Sequence, residues 1–194
     1  MKKIVLASKS PRRSELLKNI GIDFSVIVTD ADESIISTDL EPRLYVRELS
    51  LLKSTSAAKL IKDKCYIIGA DTIVVSDGEI LGKPTDKEDA FKMLFRLSGK
   101  MHSVYTGITI TNTKDMFSVS ECEKTDVYFR SLSEEEINYY IDNYSVLDKA
   151  GAYGIQEFAG RFVEKIDGDY FNIVGLPVCR LCTMFKKEFG EELI

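Results

Sequence analysis

The 194-residue chain carries a single histidine, His102. Any Ser/His/Asp or Cys/His nucleophile system would have to use that one residue, and it falls inside an alternating strand pattern, so such chemistry is set aside. Cysteine is also sparse: Cys65, Cys122, Cys179 and Cys182 are scattered, and only the last two have the C-x-x-C spacing. No second pair or histidine cluster completes a zinc site, and as i, i+3 neighbours on a helix the two are expected in or near the core. Only four prolines punctuate the chain, with no repeat, linker or low-complexity tract. No apolar run approaches the ~20 residues that cross a bilayer. The opening Met-Lys-Lys-Ile-Val-Leu-Ala-Ser turns polar again at once, too soon for a signal peptide, so the expected address is cytoplasmic. Neither G-x-x-x-x-G-K-S/T nor G-x-G-x-x-G occurs, which excludes a P-loop and a dinucleotide fingerprint. The net charge of −5 gives no basic field for nucleic acid. A small anionic ligand stays open wherever a few lysines and arginines converge.

What is present is the composition of a globular protein, 44% hydrophobic and 29% charged. The length suits one domain over residues 1–194, with two lobes around a shared sheet. The organising stretch is Cys65 to Pro84. Tyr66–Ala70 is a short apolar run of the buried-strand kind, Asp71-Thr72 follow, and Ile73-Val74-Val75 resume it. Asp77-Gly78 is a hairpin signal that returns the chain toward Lys83. A carboxylate between two apolar runs must be paired or must emerge into a cleft, since burying it alone is too costly; capping a turn is the plainer alternative. Around this stretch, Ile4–Ala7 reads as a strand and Ser10-Pro11 as a helix start. Asp23–Val28 reads as a strand, 29–41 as an acidic loop, and Pro42 as the start of a longer helix bearing Lys53. Thr85 with Glu88, and Ser133 with Glu136, are read as capping boxes. His102–Thr111 and Glu121–Arg130 pair as strands, Phe162–Ile166 is another, and Gly175-Leu176-Pro177 launches the last helix. The sum is α/β with antiparallel hairpins, a mixed α+β sheet.

The strongest local signal for chemistry is Ser8 to Arg13. A strand, a short polar turn and a helix start leave free N–H groups and a positive dipole end facing outward. Arg12 and Arg13 are unfavourable for the helix there, a conflict that often serves an anion; splaying into solvent or pairing with Asp30, Asp32 or Glu33 is the alternative. Glu33 and Asp71 form the acidic set, with Asp30, Asp32 and Asp77 as outsiders. Two carboxylates plus water suit a hard divalent ion that also takes phosphate oxygens; a solvated loop is the plainer reading for residues 30–33. The basic set is Arg12, Arg13, Lys53 and Lys83.

Taken in order, Leu6-Ala7-Ser8-Lys9-Ser10-Pro11-Arg12-Arg13, Gly69-Ala70-Asp71-Thr72, Leu81-Gly82-Lys83-Pro84, Leu97-Ser98-Gly99, Asp148 to Gln156 and Gly175-Leu176-Pro177 resemble the successive motifs of the Maf family, over essentially the whole chain. The resemblance implies a fold similar to the inosine triphosphate pyrophosphatases: an elongated mixed sheet, flanking helices and a deep central cleft. It implies cleavage of the α–β phosphoanhydride of a nucleotide, with Mg²⁺ or Mn²⁺, to monophosphate and pyrophosphate. By position Asp71 matches the family's catalytic acidic residue. Ser8, Arg13, Lys53 and Lys83 match the phosphate-lining positions, and Glu33, with Asp71, matches the metal side. Arg12, Thr72 and Gln156 match the specificity positions and resemble the subgroup acting on dTTP and UTP, with modified pyrimidine nucleotides left open. The implied partner is a small-molecule nucleoside triphosphate, with no nucleic acid and no membrane, and a homodimer left open.

The residues themselves agree in kind. Cleaving a phosphoanhydride needs negative charge neutralised and a water aligned, with little covalent help from the protein. An unperturbed Asp, with a pKa of ~3.9, is a weak base at neutral pH, so Asp71 is expected to orient water or hold the metal. The rival readings are a nucleotide-sensing regulator of cell division without turnover, and a nucleotidyl- or phosphotransferase using the same charged residues.

Overall fold

The structure, a computed structural model, describes residues 2–193. The chain divides into two compact units, Met1–Asp71 with Thr106–Glu123 and Gly175–Ile194, and Thr72–Tyr105 with Lys124–Val174. Among the described residues, the seven strands are β1 (Ile4–Ala7), β2 (Phe24–Val26), β3 (Tyr66–Ser76), β4 (Glu79–Leu81), β5 (Met101–Asn112), β6 (Phe117–Phe129) and β7 (Val163–Asp167). They pair in the order β2-β1-β3-β5-β6-β7, with β4 on β3. Among the same described residues, the six α-helices are α1 (Pro11–Asn19), α2 (Pro42–Ala58), α3 (Lys87–Leu97), α4 (Glu134–Asn143), α5 (Tyr170–Val174) and α6 (Val178–Phe189). The mixed α/β class expected from the sequence is what the chain adopts.

In the first unit, β1 pairs in parallel with β2 on one side (Ile4↔Phe24) and with β3 on the other (Ile4↔Tyr66, Ala7↔Gly69). All four residues of β1 are buried, as a strand flanked on both edges requires. Leu6, Leu17, Ile67 and Ile68 are fully out of water, worth roughly 1.5–3 kcal/mol each. Helix α2 comes unusually close to the strands. A Cβ on Gly69 would fall 2.3 Å from the Ser50 carbonyl oxygen, and one on Gly107 2.1 Å from that of Val46. Buried hydroxyls fill the seam: Ser50 Oγ donates to Arg47 O (2.8 Å) and meets Thr109 Oγ1 (2.7 Å), which meets Ser120 Oγ (2.7 Å). Ser54 Oγ reaches Thr111 Oγ1 (2.7 Å) and Ile67 O (3.1 Å), and Thr111 meets Ser118 (2.9 Å).

In the second unit, the Asp77-Gly78 turn joins β3 to β4 as an antiparallel hairpin, both residues at positive φ (51° and 79°) as a type I′ turn demands. Around α4 the rings of Tyr140, Tyr144, Phe158 and Phe162 form one aromatic cluster. The Ser133–Glu136 capping box is present in full. The Thr85–Glu88 box is not: Asp86 caps α3 by accepting from Asp89 N, while Thr85 donates to the Asp89 carboxylate. A carboxylate one residue on competes better for the free N–H groups than the threonine hydroxyl. Among other departures, 29–41 contains a 3₁₀ turn, Glu33–Ile35, capped by Asp32, and α5 went unread because five residues carry no periodicity. Cys179 is exposed and Cys182 half-buried on α6, so Cys179 lies outside the core.

Candidate active site

Strand order dictates where a site can form. From β1 the chain crosses to β2 on one side and then to β3 on the other, so β1 lies between two parallel neighbours and its carboxyl end shares one edge with theirs. Two connections leave this edge, Ser8–Arg13 after β1 and the segment leading to Glu33 after β2, and Asp71 lies within β3 two residues past Gly69, where the pairing with β1 ends.

Ser8 is buried, and its Oγ accepts from Ser10 N (3.2 Å) and from Arg13 Nη1 (3.2 Å). Ser10 occupies the N-cap of α1 without a side-chain bond, so Ser8 serves the turn that Ser10 was expected to cap. Arg13 Nε donates to Gly175 O at 2.8 Å, which ties the helix start to the turn before α6. Burial pushes the Arg13 pKa below its usual value; the negative charges of Asp71 and Glu33 oppose that shift, while Arg12 adds to it. A guanidinium stays protonated regardless, so a cation is held half-buried at the start of α1. Lys9 Nζ lies 3.6 Å from Asp30 Oδ1 in the acidic loop.

Lys53 projects from α2 and donates to Asp71 Oδ1, while Glu33 Oε1 lies 3.1 Å from the same ammonium. The Lys53 side chain is 19% exposed and that of Asp71 14%, so the pair is mostly withdrawn from water yet still reachable. The close seating of α2 on Gly69 and Gly107 sets where Lys53 emerges, because any larger residue at either glycine would drive the helix outward. Tyr45, half-buried on the same helix, was missed in the sequence: burial raises its pKa, and the charges of Asp71 and Glu33 raise it further. Its signal was its place about two turns before Lys53 on the same helix.

Ser8, Arg13, Glu33, Lys53 and Asp71 are thus gathered in one unit. Arg12, half-buried at the start of α1, belongs to it as well. Thr72, Lys83 and Gln156 lie in the other. Thr72 is half-buried in β3, Lys83 is exposed after β4, and Gln156 is exposed in a turn between two 3₁₀ segments. Gly82, beside Lys83, accepts from Gly151 N at 3.0 Å, so the Lys83 and Gln156 segments are joined through the backbone.

Among the described residues no three His, Cys, Asp or Glu side chains cluster tightly enough to hold a metal alone. Glu33 and Asp71 still fit a hard ion, because both already converge on one cation, the Lys53 ammonium, and both offer only oxygen. Mg²⁺ is commonly held by one or two carboxylates together with substrate phosphates and waters.

The family model described as "Maf-like protein" matches residues 3–188. A "dTTP/UTP pyrophosphatase" of Thermoanaerobacter sp. (strain X514) is 52% identical over 192 residues, covering 99% of this chain and 100% of that protein. Another so named, from Clostridium novyi (strain NT), is 50% identical over 183 residues, 94% of this chain and 96% of its own. Among solved structures, a HAM1 protein from Coxiella burnetii is 16% identical, covering 66% of this chain and 73% of that one with a TM-score of 0.45, a likeness too slight to build on. Six motifs in order and a match over nearly the full length agree, and the chain belongs to the Maf family.

Proposed function

We propose that this protein hydrolyses the α–β phosphoanhydride of dTTP and UTP, consuming one water and releasing the nucleoside monophosphate and pyrophosphate. The observation that carries the reading is the Lys53 ammonium shared by Asp71 and Glu33 at the carboxyl edge of the parallel strands, with Arg13 on the same edge. Relatives named dTTP/UTP pyrophosphatase at up to 52% identity support the substrate.

In this reading Arg13 and Lys53 take phosphate oxygens, the N–H groups at the start of α1 add to that field, and Ser8 holds the Arg13 fork in place. Lys83, exposed, adds a further cation. Asp71 accepts a hydrogen bond from the attacking water and so aims its lone pair at phosphorus. Phosphate entering beside Lys53 competes with the two carboxylates for the ammonium, which frees Asp71 for that task. Glu33 and Asp71 would hold Mg²⁺ or Mn²⁺, which when bound neutralises charge on the phosphates. Thr72 and Gln156 meet the nucleoside, the Gln156 amide matching the O4 and N3–H edge of uracil or thymine, which cytosine reverses; Arg12 completes the specificity set. Four cysteines, all free thiols, support a cytoplasmic setting.

The test is incubation with dTTP and Mn²⁺ followed by product analysis. Monophosphate with pyrophosphate is expected. Diphosphate with phosphate would mean the wrong bond, and binding without turnover would point to a nucleotide sensor.

A further inference from the structure

Lys149 is a lysine with only 4% of its side chain exposed, and it lies outside the charged set at the strand edge. All of its polar partners belong to its own neighbourhood. Nζ donates to Ser145 O, lies 3.0 Å from Asp148 Oδ1 and 3.4 Å from Glu157 Oε1. Two of the ammonium's three N–H donors are taken by Ser145 O and Asp148 Oδ1, and Glu157 adds an ion pair. Its stem is occupied too: a Cβ on Gly154 would fall 2.7 Å from Lys149 Cε, so the backbone of the Gln156 turn rests directly on the lysine chain.

The rest of that loop is fixed just as firmly. Gly151 and Ala152 both stand at positive φ (66° and 64°), and for Ala152, wholly buried, that conformation is strained. Gly154 N donates to Tyr140 Oη (3.1 Å), Glu157 N donates to Gly154 O (3.1 Å), and Tyr153 Oη meets His102 Nε2 (2.8 Å). Gln156 itself is exposed, with Glu157 as the next residue. A polar side chain that must discriminate bases while standing in water needs a backbone that does not yield. The ammonium's grip on Glu157 and the stem's contact with Gly154 hold that backbone from both sides of Gln156.

We infer that Lys149 is a positioning residue for base selection: it locks the Gly154–Glu157 turn so that Gln156 presents its amide in one orientation to the uracil or thymine edge. This rests on the reading that Gln156 meets the base. Its test is kcat and KM for UTP, dTTP and CTP, with Mn²⁺, on wild type, Lys149→Met, Gln156→Ala and the double variant, each melted alongside. Lys149→Met should lower kcat/KM for UTP and dTTP by roughly ten- to a hundredfold, chiefly through KM, and leave CTP close to its starting value. In the Gln156→Ala background the same change should add almost nothing to the loss of preference, since both act on one contact. A lysine that only supports the fold would lower all three nucleotides alike, in both backgrounds, and that result overturns the proposal. Should Lys149→Met fail to fold, Gly154→Ala keeps the ammonium while pressing on Cε, and an unchanged base preference in that folded variant overturns the proposal equally. If Gln156→Ala itself keeps the wild-type preference, the base-reading role falls and the proposal with it. If Gln156→Ala loses the preference while Lys149→Met retains it, the positioning role alone is wrong.

Discussion

Lys53 and Lys149 each stand between two carboxylates, yet the two arrangements are built for opposite ends. The partners of Lys53 come from separate segments, Glu33 from the connection after β2 and Asp71 from within β3, and water still reaches the group, with 19% of the lysine side chain exposed. The partners of Lys149 lie within its own loop, and only 4% of its side chain is exposed. An ion pair assembled from distant segments at an open edge can exchange one carboxylate for an incoming anion. One closed inside a single loop, with 4% of its side chain exposed, is shut off from an incoming anion and acts as a brace. Sequence distance and solvent access, not the identity of the ions, separate a group poised to bind from one poised to hold.

The sharpest way to break this contrast is Asp71→Asn. It removes one partner of the exchangeable pair without changing shape, and leaves Lys53 its contact with Glu33. Turnover of dTTP should fall roughly 10²–10⁴-fold while the melting temperature moves only a few degrees. A folded variant with substantial activity takes Asp71 out of the chemistry. Gly69→Ala probes the seating of Lys53 rather than its charge. Its Cβ would meet backbone, the Ser50 carbonyl at 2.3 Å, so α2 must retreat, at a cost of about 1–3 kcal/mol in denaturant titration and a matching loss of kcat/KM. Gly154→Ala presses on a lysine stem instead and should cost clearly less stability; equal losses would erase the distinction between the two seatings.

The unit that holds Lys149 also buries His102, 1% exposed, with Nδ1 unpartnered among the described residues. Burial pushes its pKa from 6.5 down to about 4, against the opposing charge of Asp126. The unfolded chain therefore takes up a proton near pH 6.5 that the folded protein refuses until about pH 4. The associated stability is complete above pH 6.5 and drains away as pH falls toward 4, in all roughly 3 kcal/mol. Melting curves across that range for wild type and His102→Gln check it: the variant should lose most of the slope between the two values. The smallest effect is expected at Lys83, exposed and screened. Lys83→Ala should raise KM for dTTP about three- to tenfold, less at high salt, whereas Lys53→Ala should cost about a hundredfold in kcat/KM. Equal effects would mean that burial adds nothing to the work of Lys53.

Much of this was legible beforehand because it is local. The β3–β4 hairpin declares itself in Asp77-Gly78, and the start of α1 in Ser10-Pro11. Arg12 and Arg13 at that start marked a conflict with the helix dipole, and Arg13 turns back to Ser8 and the Gly175 carbonyl. What stayed hidden depends on tertiary proximity. Nothing in the run of residues says that Ser8, not Ser10, would serve the turn, since that follows from Arg13 folding back onto it. The capping error at Thr85 arose because two adjacent candidates obey the same rule, and only the built helix selects Asp86. Lys149 was passed over as one letter of a motif; its burial appears only once Gly154 lies against it.

The hydroxyl seam beneath α2 has a consequence for observation. Ser50 spends its one hydrogen on the Arg47 carbonyl, so Thr109 must donate to Ser50 and Ser120 to Thr109, a relay with a single sense. Ser50 and Thr109, fully shielded, should exchange their hydroxyl protons slowly enough with solvent to give separate signals in a proton magnetic resonance spectrum at low temperature. Because the seam lies under the helix that carries Lys53 and touches none of the charged groups, those signals form a built-in reporter. Nucleotide binding that shifts α2 by even a fraction of an ångström would change their frequencies without any label being attached.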